Sequence, residues 1–340
     1  MNNSVIGLDI AKNIFHLFTL LADGKILKKK LNRSKLLEFF ANYPASIIGM
    51  EACGGAHHWA RELTKLGHEV VLLNARYVKS FVVGNKNDFN DAAAIYDAVT
   101  RPNKRVVAIK TVAQQDIQLV HSIRKELVDQ RTALVNQTRG LLSERGIVIN
   151  QGITHIREQL PLILEDAENG LTDLSRELFA EQYEKLKVLD AEIKAQDQRI
   201  NRLCNANDLS KRFLDVPGVG PLTATMVAAD IGGDGGKGYK SSRDYAASLG
   251  VVPKQHSSAD KLHYLGISKR GNRYIRTLLI HGARAVLKNC TKKTDKLSLW
   301  LQGLVARRGF NKAAVALANK NARILWAMAS NGKDYEALDA

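Results

Sequence analysis

The order of short apolar runs in the first hundred residues is the feature that most constrains the fold of this chain. Alternating β-branched runs are typical of strands, and apolar residues at helical spacing are typical of amphipathic helices. On these criteria the sequence predicts strands at 5–10, 15–20, 25–31, 46–51 and 69–73, and helices at 34–43, 57–66 and 88–99. The resulting order, βββαβαβα, predicts an N-terminal α/β domain.

Four carboxylates lie at or near the ends of these predicted elements. Asp9 lies in the first strand, where an isolated buried charge is costly, so a cationic partner is expected. Glu51 ends the fourth strand, while Asp88 and Asp91 are three apart at the start of a helix and share one face. Taken singly, each carboxylate has an ordinary alternative as a strand-end or helix N-terminal charge.

The element order is also that of an RNase H-like fold, with another α/β domain as the alternative. An RNase H-like fold would place its metal ligands at these four positions, so Asp9, Glu51, Asp88 and Asp91 are predicted to converge. Hard oxygen ligands suit Mg²⁺, and two ions about 4 Å apart can stabilise the attacking and leaving oxygens of a phosphodiester displacement. Mg²⁺ is therefore the expected cofactor.

Long helices are predicted after about residue 112. Apolar residues keep a loose heptad at Val120, Ile123, Leu127, Leu134 and Leu141. A second run has Leu186, Leu189, Ile193, Ile200 and Leu203, with Gln196 at the polar position of the seam. An antiparallel pair, an intermolecular coiled coil and two ordinary core helices are the alternatives. Between the runs, residues 146–170, which include Pro161, are expected to form a bend.

The length of 340 residues favours two domains and a connector. The predicted division is an α/β domain at 1–105, a helical, coiled-coil connector at 106–208 and a mainly α-helical domain at 209–330. The formal net charge is +16. Most of the positive charge in excess lies between Lys254 and Arg323, a segment with sixteen Lys or Arg and only two Asp. Such a balance favours a polyanionic partner, namely nucleic acid.

Cysteine spacing fits a reducing compartment, and the hydropathy of the sequence predicts no membrane span. Cys53, Cys204 and Cys290 are far apart, which excludes a CxxC zinc pattern and a disulfide framework. No apolar run approaches the roughly 20 residues that span a bilayer. We therefore expect a cytoplasmic, nucleoid-associated protein with no membrane partner.

A glycine-rich turn at 213–220 precedes a predicted helix at 222–229. This is the form of a helix-hairpin-helix element, whose backbone N–H groups and helix N-terminus can hold a DNA phosphate. Gly218 and Gly220 are the candidate contacts, and a plain turn between helices is the alternative.

Basic residues surround a second glycine-rich segment, at 266–274, that leads into a further helix. Their stems can pack while their charges face a nucleic-acid backbone. The candidate nucleic-acid-binding side chains are Lys254, Lys261, Lys269, Arg270, Arg273 and Arg276. A solvated basic face without a partner is the alternative.

Several ordered motifs resemble the transposases of insertion-sequence family 110, particularly subgroup 1111, which also includes site-specific DNA invertases. They are Gly-Leu-Asp-Ile-Ala-Lys at 7–12, Gly-Met-Glu-Ala-Cys-Gly-Gly at 49–55, Asn-Asp-Phe-Asn-Asp-Ala at 87–92, Val-Pro-Gly-Val-Gly at 216–220, and 265–280. The resemblance covers essentially the full length.

The resemblance implies that Asp9, Glu51, Asp88 and Asp91 are the DEDD metal site of a RuvC-like domain. It also implies a C-terminal transposase domain with a catalytic serine at Ser258. The family usually continues Ser-Ser-Gly-Gly-Lys, where this chain has Ser-Ser-Ala-Asp-Lys at 257–261, so Ser257 is the alternative. Donor and target DNA, a structured guide RNA encoded by the element, and a homo-oligomer, dimer or tetramer, are the implied partners.

Two other functions fit the residues. A Holliday-junction or RNase H-like nuclease would cut DNA with metal-activated water and form no serine intermediate. A non-catalytic nucleic-acid scaffold would carry the same carboxylates as structural groups. Formation of a covalent protein–DNA adduct separates the serine recombinase from both.

Overall fold

The computed structural model describes residues 4–85, 87–231, 235–236, 238–258 and 261–337. The chain divides into two compact units, Met1–Val112 with Ile231–Lys240, and Ala113–Asp230 with Ser241–Ala340. The second unit thus includes most of the predicted connector and of the predicted C-terminal domain. The division at 1–105, 106–208 and 209–330 stays a prediction.

The first unit is a mixed α/β domain. Its strands are β1 (Ser4–Ile10), β2 (Ile14–Leu20), β3 (Ile26–Asn32), β4 (Ser46–Glu51), β5 (Glu69–Leu73) and β6 (Val106–Val107). Its helices are α1 (Leu36–Ala41), α2 (Ala56–Lys65), α3 (Ala75–Val78) and α4 (Asp88–Thr100). The strands and helices predicted here are confirmed, and the short α3 and β6 are additional.

The strands form a mixed sheet in the order β3-β2-β1-β4-β5-β6. β1 and β2, and β2 and β3, are antiparallel, whereas β1 and β4, and β4 and β5, are parallel. β6 is antiparallel to β5. After β1, the chain adds β2 and β3 on one side of β1 and then β4 on the other side. The carboxyl ends of β1 and β4 therefore meet at a switch point of the topology, where open α/β sheets bind ligands.

Helices cover both faces of this sheet. Successive side chains of a strand point to opposite faces, so Leu8 and Met50 pack into one apolar cluster with Phe40 of α1 and Leu63 of α2. On the other face, partly buried Val5 packs against a second cluster that contains residues of α4. Asp9 is four residues after Val5 in β1. Residues an even number apart in a strand lie on the same face, so Asp9 lies on the face that α4 covers.

The second unit is mostly helical. Its helices are α5 (Val112–Ser143), α6 (Ile153–Glu165), α7 (Asp173–Ala206), α8 (Asp208–Phe213), α9 (Pro221–Ile231), α10 (Ser242–Ser248), α11 (Arg273–Cys290), α12 (Lys296–Arg308) and α13 (Phe310–Asn331). It also contains an antiparallel hairpin of β7 (Pro253–Ser258) and β8 (Lys261–Ile267). None of the helices in the described part of the chain is both long and apolar enough to span a membrane.

The two longest helices, α5 and α7, pair in antiparallel fashion within the chain. Arg124 Nε lies 2.6 Å from Asp197 Oδ1, and Arg131 Nη1 lies 2.9 Å from Asp190 Oδ1. As residue numbers rise along α5, those of its partners fall along α7, which confirms the antiparallel alternative.

The buried face of α5 differs from the predicted seam. Its buried residues are Ile117, His121, Val135, Thr138 and Leu142. Ile123 and Leu141 of the predicted apolar row are exposed. The predicted and observed faces differ because Arg124 and Arg131, which are partly buried and form ion pairs with α7, occupy positions on the packed face. On α7 four of the six predicted seam residues, Leu186, Ile193, Gln196 and Ile200, are buried, and Leu189 and Leu203 are partly buried.

The predicted bend at 146–170 contains α6, with Pro161 inside the helix. A proline within a helix lacks one backbone donor and costs about 3 kcal/mol. Ile156 and Leu160, one turn apart, are fully buried in a cluster with residues of α5 and α7. Tertiary packing therefore stabilises a helix that the proline disfavours.

The β7–β8 hairpin was not expected in a mainly α-helical domain. β7 carries the polar sequence Pro-Lys-Gln-His-Ser-Ser and lacks the apolar alternation that identifies a half-buried strand. Its residues up to Ser257 are exposed. Pairing with β8, instead of burial, holds this segment extended, so hydrophobic periodicity gave no signal.

Candidate metal centre and nucleic-acid surface

The first two candidate carboxylates lie at neighbouring strand ends. Asp9 is the last residue but one of β1, and Glu51 is the last residue of β4. Gly7 pairs with Gly49 and Leu8 with Met50 in the parallel register. Asp9 comes two residues after Gly7, and Glu51 comes two residues after Gly49. The register therefore brings the two acids to the same edge and the same face of the sheet.

Two glycines allow α4 to approach this face. A Cβ atom on Gly7 would lie 2.1 Å from the Ala92 carbonyl oxygen and 2.6 Å from the Tyr96 nitrogen. A Cβ atom on Gly49 would lie 2.9 Å from Cβ of Val99. These distances are too short for a side chain, and the atoms at Gly7 are backbone atoms. Glycine at these positions thus sets the distance between α4 and the sheet.

The first turn of α4 supplies the other two carboxylates. Asn87 caps the helix, and its side chain accepts a hydrogen bond of 2.9 Å from the Phe89 N–H. Acidic residues in a first turn are favoured by the helix dipole. Asp88 and Asp91 are one turn apart and face the sheet edge that carries Asp9. The local sequence therefore both starts the helix and orients its acids.

Three of the predicted ligands come together. One oxygen atom from each of Asp9, Asp88 and Asp91 lies within 4.8 Å of the others. Glu51 is outside this group, but its charge acts on Asp9, and Asp91 acts on Glu51. Three hard oxygen donors, with a fourth carboxylate nearby, suit a divalent cation such as Mg²⁺, Mn²⁺ or Ca²⁺.

The electrostatics of the cluster fit a bound cation. Burial is the largest cause that raises the pKa of Asp9 to about 6, followed by the charge of Asp91. Asp88 and Glu51 add smaller repulsions. Burial, and then Asp91, also raise the pKa of Glu51. Across the described residues, the ion pairs include none with Asp9. The cation expected beside Asp9 is therefore not one of these side chains, and a metal ion would relieve the repulsion.

His16 is a neighbour of the cluster that the sequence reasoning missed. It pairs with Asp9 across the antiparallel β1–β2 ladder. Its Nδ1 atom lies 3.6 Å from Asp88 Oδ2, and its ring packs edge-on against Phe89. The short connection between β1 and β2 was a usable signal, because a tight hairpin fixes its register and so the residue opposite Asp9.

Most of the candidate basic side chains are accessible. Lys254, Lys269, Arg270 and Arg273 are exposed. Lys269 has a positive φ of 54°, and Gly271 follows with a φ of 75° in the turn before α11. The side chain of Lys261 is outside the described part of the structure. The exposed members form a basic region on the β7–β8 hairpin and the start of α11.

Arg276 differs from its predicted role. It is only 9% exposed, and its Nη1 donates to the carbonyl oxygens of Leu249 at 2.9 Å and Arg270 at 3.0 Å. Burial, and then the charge of Arg273, lower the pKa of Arg276. A guanidinium directed at interior carbonyls cannot also contact a DNA phosphate in this conformation. Arg276 therefore joins α11 to the preceding turns, and we leave it out of the nucleic-acid surface.

The two candidate glycines have different surroundings. Gly218, with a φ of 85°, packs on α11, where its carbonyl oxygen would lie 1.8 Å from a Cβ atom on Gly282. Gly220 is exposed, with open space where a Cβ would be. Close helix packing is thus sufficient to explain glycine at 218. The predicted phosphate contacts of both glycines stay predictions.

The candidate serines end β7. The backbone of Ser257 pairs with Leu262, and that of Ser258 with Lys261. Ser257 Oγ accepts a hydrogen bond of 3.0 Å from Gln255 Nε2. The side chain of Ser258 is outside the described part of the structure. Residues 259 and 260, where the sequence differs from the family pattern, are also outside it.

The fold and the site together define a class of protein. Its members have a mixed α/β domain with a carboxylate cluster that could hold a divalent cation, followed by a mostly helical region with a basic surface. Residues 6–146 match a family described as Transposase, and residues 210–298 match the Transposase IS116/IS110/IS902 family.

Full-length relatives agree with these matches. A probable family 20 transposase of Pseudomonas aeruginosa is 43% identical over 98% of this chain and 99% of its own length. The transposase for insertion sequence element IS1111A of Coxiella burnetii is 43% identical over 97% and 91%. The transposase for IS1328 of Yersinia enterocolitica is 36% identical over 97% and 98%. The chain belongs to the IS110/IS116/IS902 family of transposases, and it is a DNA transposase.

Proposed function

We propose that this transposase excises and inserts an insertion sequence by cutting and rejoining DNA, with Mg²⁺ held by Asp9, Glu51, Asp88 and Asp91. The observation that carries the proposal is the convergence of Asp9, Asp88 and Asp91 within 4.8 Å. When bound, Mg²⁺ would stabilise negative charge on the phosphate oxygens during displacement. The raised pKa of Asp9, caused chiefly by burial and then by like charges, supports a site that binds a cation.

The proposed nucleophile is Ser258. Its Oγ loses a proton and forms a bond to the phosphorus of a DNA phosphodiester, while the bond from phosphorus to the leaving DNA oxygen breaks. The freed DNA oxygen takes up a proton. A DNA hydroxyl of the new partner then attacks the phosphoserine linkage and restores the serine. The phosphodiester energy is thus conserved in the covalent intermediate.

The proposed DNA surface combines the α8–turn–α9 region with the basic hairpin. The turn around Gly218 and Gly220, as a helix-hairpin-helix element, would hold a phosphate through backbone N–H groups. Lys254, Lys261, Lys269, Arg270 and Arg273 would contact further phosphates. Support comes from the exposure of Lys254, Lys269, Arg270 and Arg273. Because phosphate contacts release counterions, binding is expected to weaken steeply with salt.

A structured guide RNA from the element and a homo-oligomer, dimer or tetramer, complete the proposal. An RNA would specify donor and target DNA, and the same positive charge favours its binding. Ile123 and Leu141, exposed members of the apolar row on α5, support assembly through the helical connector. An apolar groove between α5 and α7, lined by Ala133, Leu134, Ala180 and Val188, offers a second such surface.

The test is a search for a covalent protein–DNA adduct. Purified protein is incubated with its flanking element RNA, donor and target DNA and Mg²⁺, and then analysed under denaturing conditions. We expect an adduct in the wild type and in Ser257→Ala, which changes the neighbouring hydroxyl, and none in Ser258→Ala. An adduct lost only in Ser257→Ala would move the nucleophile to Ser257.

Two other outcomes would replace the proposal. Cleavage without any adduct would indicate a nuclease that uses metal-activated water. Salt-sensitive binding without cleavage, unchanged by removal of Mg²⁺ or by Asp88→Ala and Asp91→Ala, would indicate a non-catalytic scaffold.

A further inference from the structure

His16 lies against the carboxylate cluster without belonging to it. It is 7% exposed, and it lies opposite Asp9 in the ladder between β1 and β2. Facing residues of an antiparallel pair have their side chains on one face of the sheet. The His16 ring is therefore on the face that α4 covers, where it meets Phe89 at a ring distance of 4.7 Å.

The Nδ1 atom of His16 is buried and has no hydrogen-bond partner among the described residues. A buried polar atom without a hydrogen-bond partner lowers the stability of the fold by about 1–3 kcal/mol. Such an atom therefore indicates a functional role or a missing partner. Asp88 Oδ2 lies 3.6 Å away, just beyond hydrogen-bond distance. A shift of a few tenths of an ångström by the Asp88 side chain would complete the bond.

We infer that His16 is a positioning residue for the metal centre: when a divalent cation is bound, the His16 Nδ1–H donates to Asp88 Oδ2 and leaves the other Asp88 oxygen for the cation. This inference rests on the proposed metal site. Metal ligands in proteins are commonly oriented by such outer partners, whose loss weakens metal binding by about 10- to 100-fold. His16 lies outside the mutually close group of Asp9, Asp88 and Asp91, which favours an outer role over direct ligation.

Three variants of the full chain test the role of His16. His16→Phe removes the donor and keeps a ring, whereas His16→Asn keeps an N–H donor near the Nδ1 position. His68→Phe is the matched control, because His68 is also buried and lies in the same unit, yet its ring nitrogens form hydrogen bonds with Ser46 N and Phe40 O. Ser46 begins β4, at the end opposite Glu51, so this control leaves the metal centre intact.

Mn²⁺ affinity is measured from the electron paramagnetic resonance signal of free Mn²⁺ during a titration. We expect His16→Phe to weaken Mn²⁺ binding by about tenfold or more, His16→Asn to restore most of the affinity, and His68→Phe to leave it unchanged. Because His16→Phe also removes an unpaired buried polar atom, its metal-free melting temperature should equal or exceed that of the wild type. A purely structural role predicts the reverse.

Other outcomes overturn the inference in distinguishable ways. Mn²⁺ binding that is equal in the wild type and His16→Phe would remove His16 from the site but leave the metal centre in place. Nitrogen coupling to bound Mn²⁺ that disappears in His16→Phe would make His16 a direct ligand. An absence of Mn²⁺ binding in the wild type would overturn the metal centre and the role of His16 together.

Discussion

At the scale of single residues, the charges of the carboxylate cluster would favour cation binding but lower the stability of the folded chain. Asp9 carries a pKa raised to about 6 because it is half-buried and lies near Asp91, Asp88 and Glu51. Like charges that repel one another destabilise the folded chain, and a bound cation would offset this repulsion. Functional sites commonly retain groups that lower stability in this way.

Replacement of Asp91 with Asn should therefore have opposite effects with and without metal. Asp91→Asn removes the largest like-charge repulsion on Asp9. We expect a higher melting temperature than the wild type in chelator, but little or no further rise when Mg²⁺ or Mn²⁺ is added. Differential scanning calorimetry measures both. A lower melting temperature in chelator would show that Asp91 is held by favourable contacts instead of repulsion.

His121 of α5 is the centre of a buried polar network. Thr225 Oγ1 donates to Pro221 O at 2.7 Å, so it accepts from His121 Nε2–H at 2.9 Å. His121 Nδ1 then accepts from the Tyr274 hydroxyl at 3.1 Å. Burial, and then the charge of Arg124, lower the pKa of His121 from 6.5 to about 4. The network joins α5, α9 and α11 with a neutral histidine.

This network predicts a loss of stability in acid. Between pH 6.5 and about 4 the unfolded chain binds the His121 proton and the folded chain does not, so the unfolding free energy falls as pH is lowered through this window. The shift corresponds to about 3 kcal/mol at most. Urea unfolding followed by circular dichroism should show a shallower pH slope in His121→Gln. An equal reduction in the exposed control His58→Gln would contradict the assignment.

At the scale of elements, the approach of α4 to the sheet positions Asp88 and Asp91, two of the four candidate metal ligands. Gly7 lies below the α4 backbone, where a Cβ atom would be 2.1 Å from the Ala92 carbonyl oxygen. Backbone atoms cannot move aside as a flexible side chain does. Any side chain at this position must displace α4, and with it Asp88 and Asp91.

Gly7→Ala should lower stability by about 1–3 kcal/mol or more through overpacking and should also abolish divalent-cation binding. Gly140→Ala is the matched control, because Gly140 lies in α5 with open space around its Cβ position; it should stabilise the helix by about 0.5–1 kcal/mol. Melting temperatures with and without Mn²⁺ measure both effects. Gly7→Ala with normal Mn²⁺ binding would show that the spacing is not required.

The elements also show what the sequence can and cannot specify. The N-terminal strands alternate clearly, so their order, and the edge where Asp9 and Glu51 meet, could be predicted. The face of α5 could not, because Arg124 and Arg131 occupy packed positions through ion pairs that periodicity does not register. The exposed polar strand β7 gave no apolar signal. His16 was missed because the pairing register, not its own residue type, places it beside Asp9.

At the scale of the whole molecule, the proposed homo-oligomer allows the metal site and the serine to be supplied by different copies of the chain. If the metal centre of one subunit acts with Ser258 of another, a mixture of Asp9→Asn and Ser258→Ala proteins should recover part of the recombination that neither performs alone. Recombination between marked donor and target DNA, scored by sequencing of the junctions, measures the recovery. A mixture as inactive as its components would indicate that both groups must act from one chain.

Asp9, Glu51, Asp88 and Asp91 are the proposed ligands of a divalent cation. The most direct measurement is a crystal structure of the full chain with Mn²⁺, using anomalous scattering to locate the ion. We expect an anomalous peak between the carboxylates of Asp9, Asp88 and Asp91, with Glu51 drawn towards it. Ordered carboxylates without a peak, or a peak elsewhere only, would contradict it.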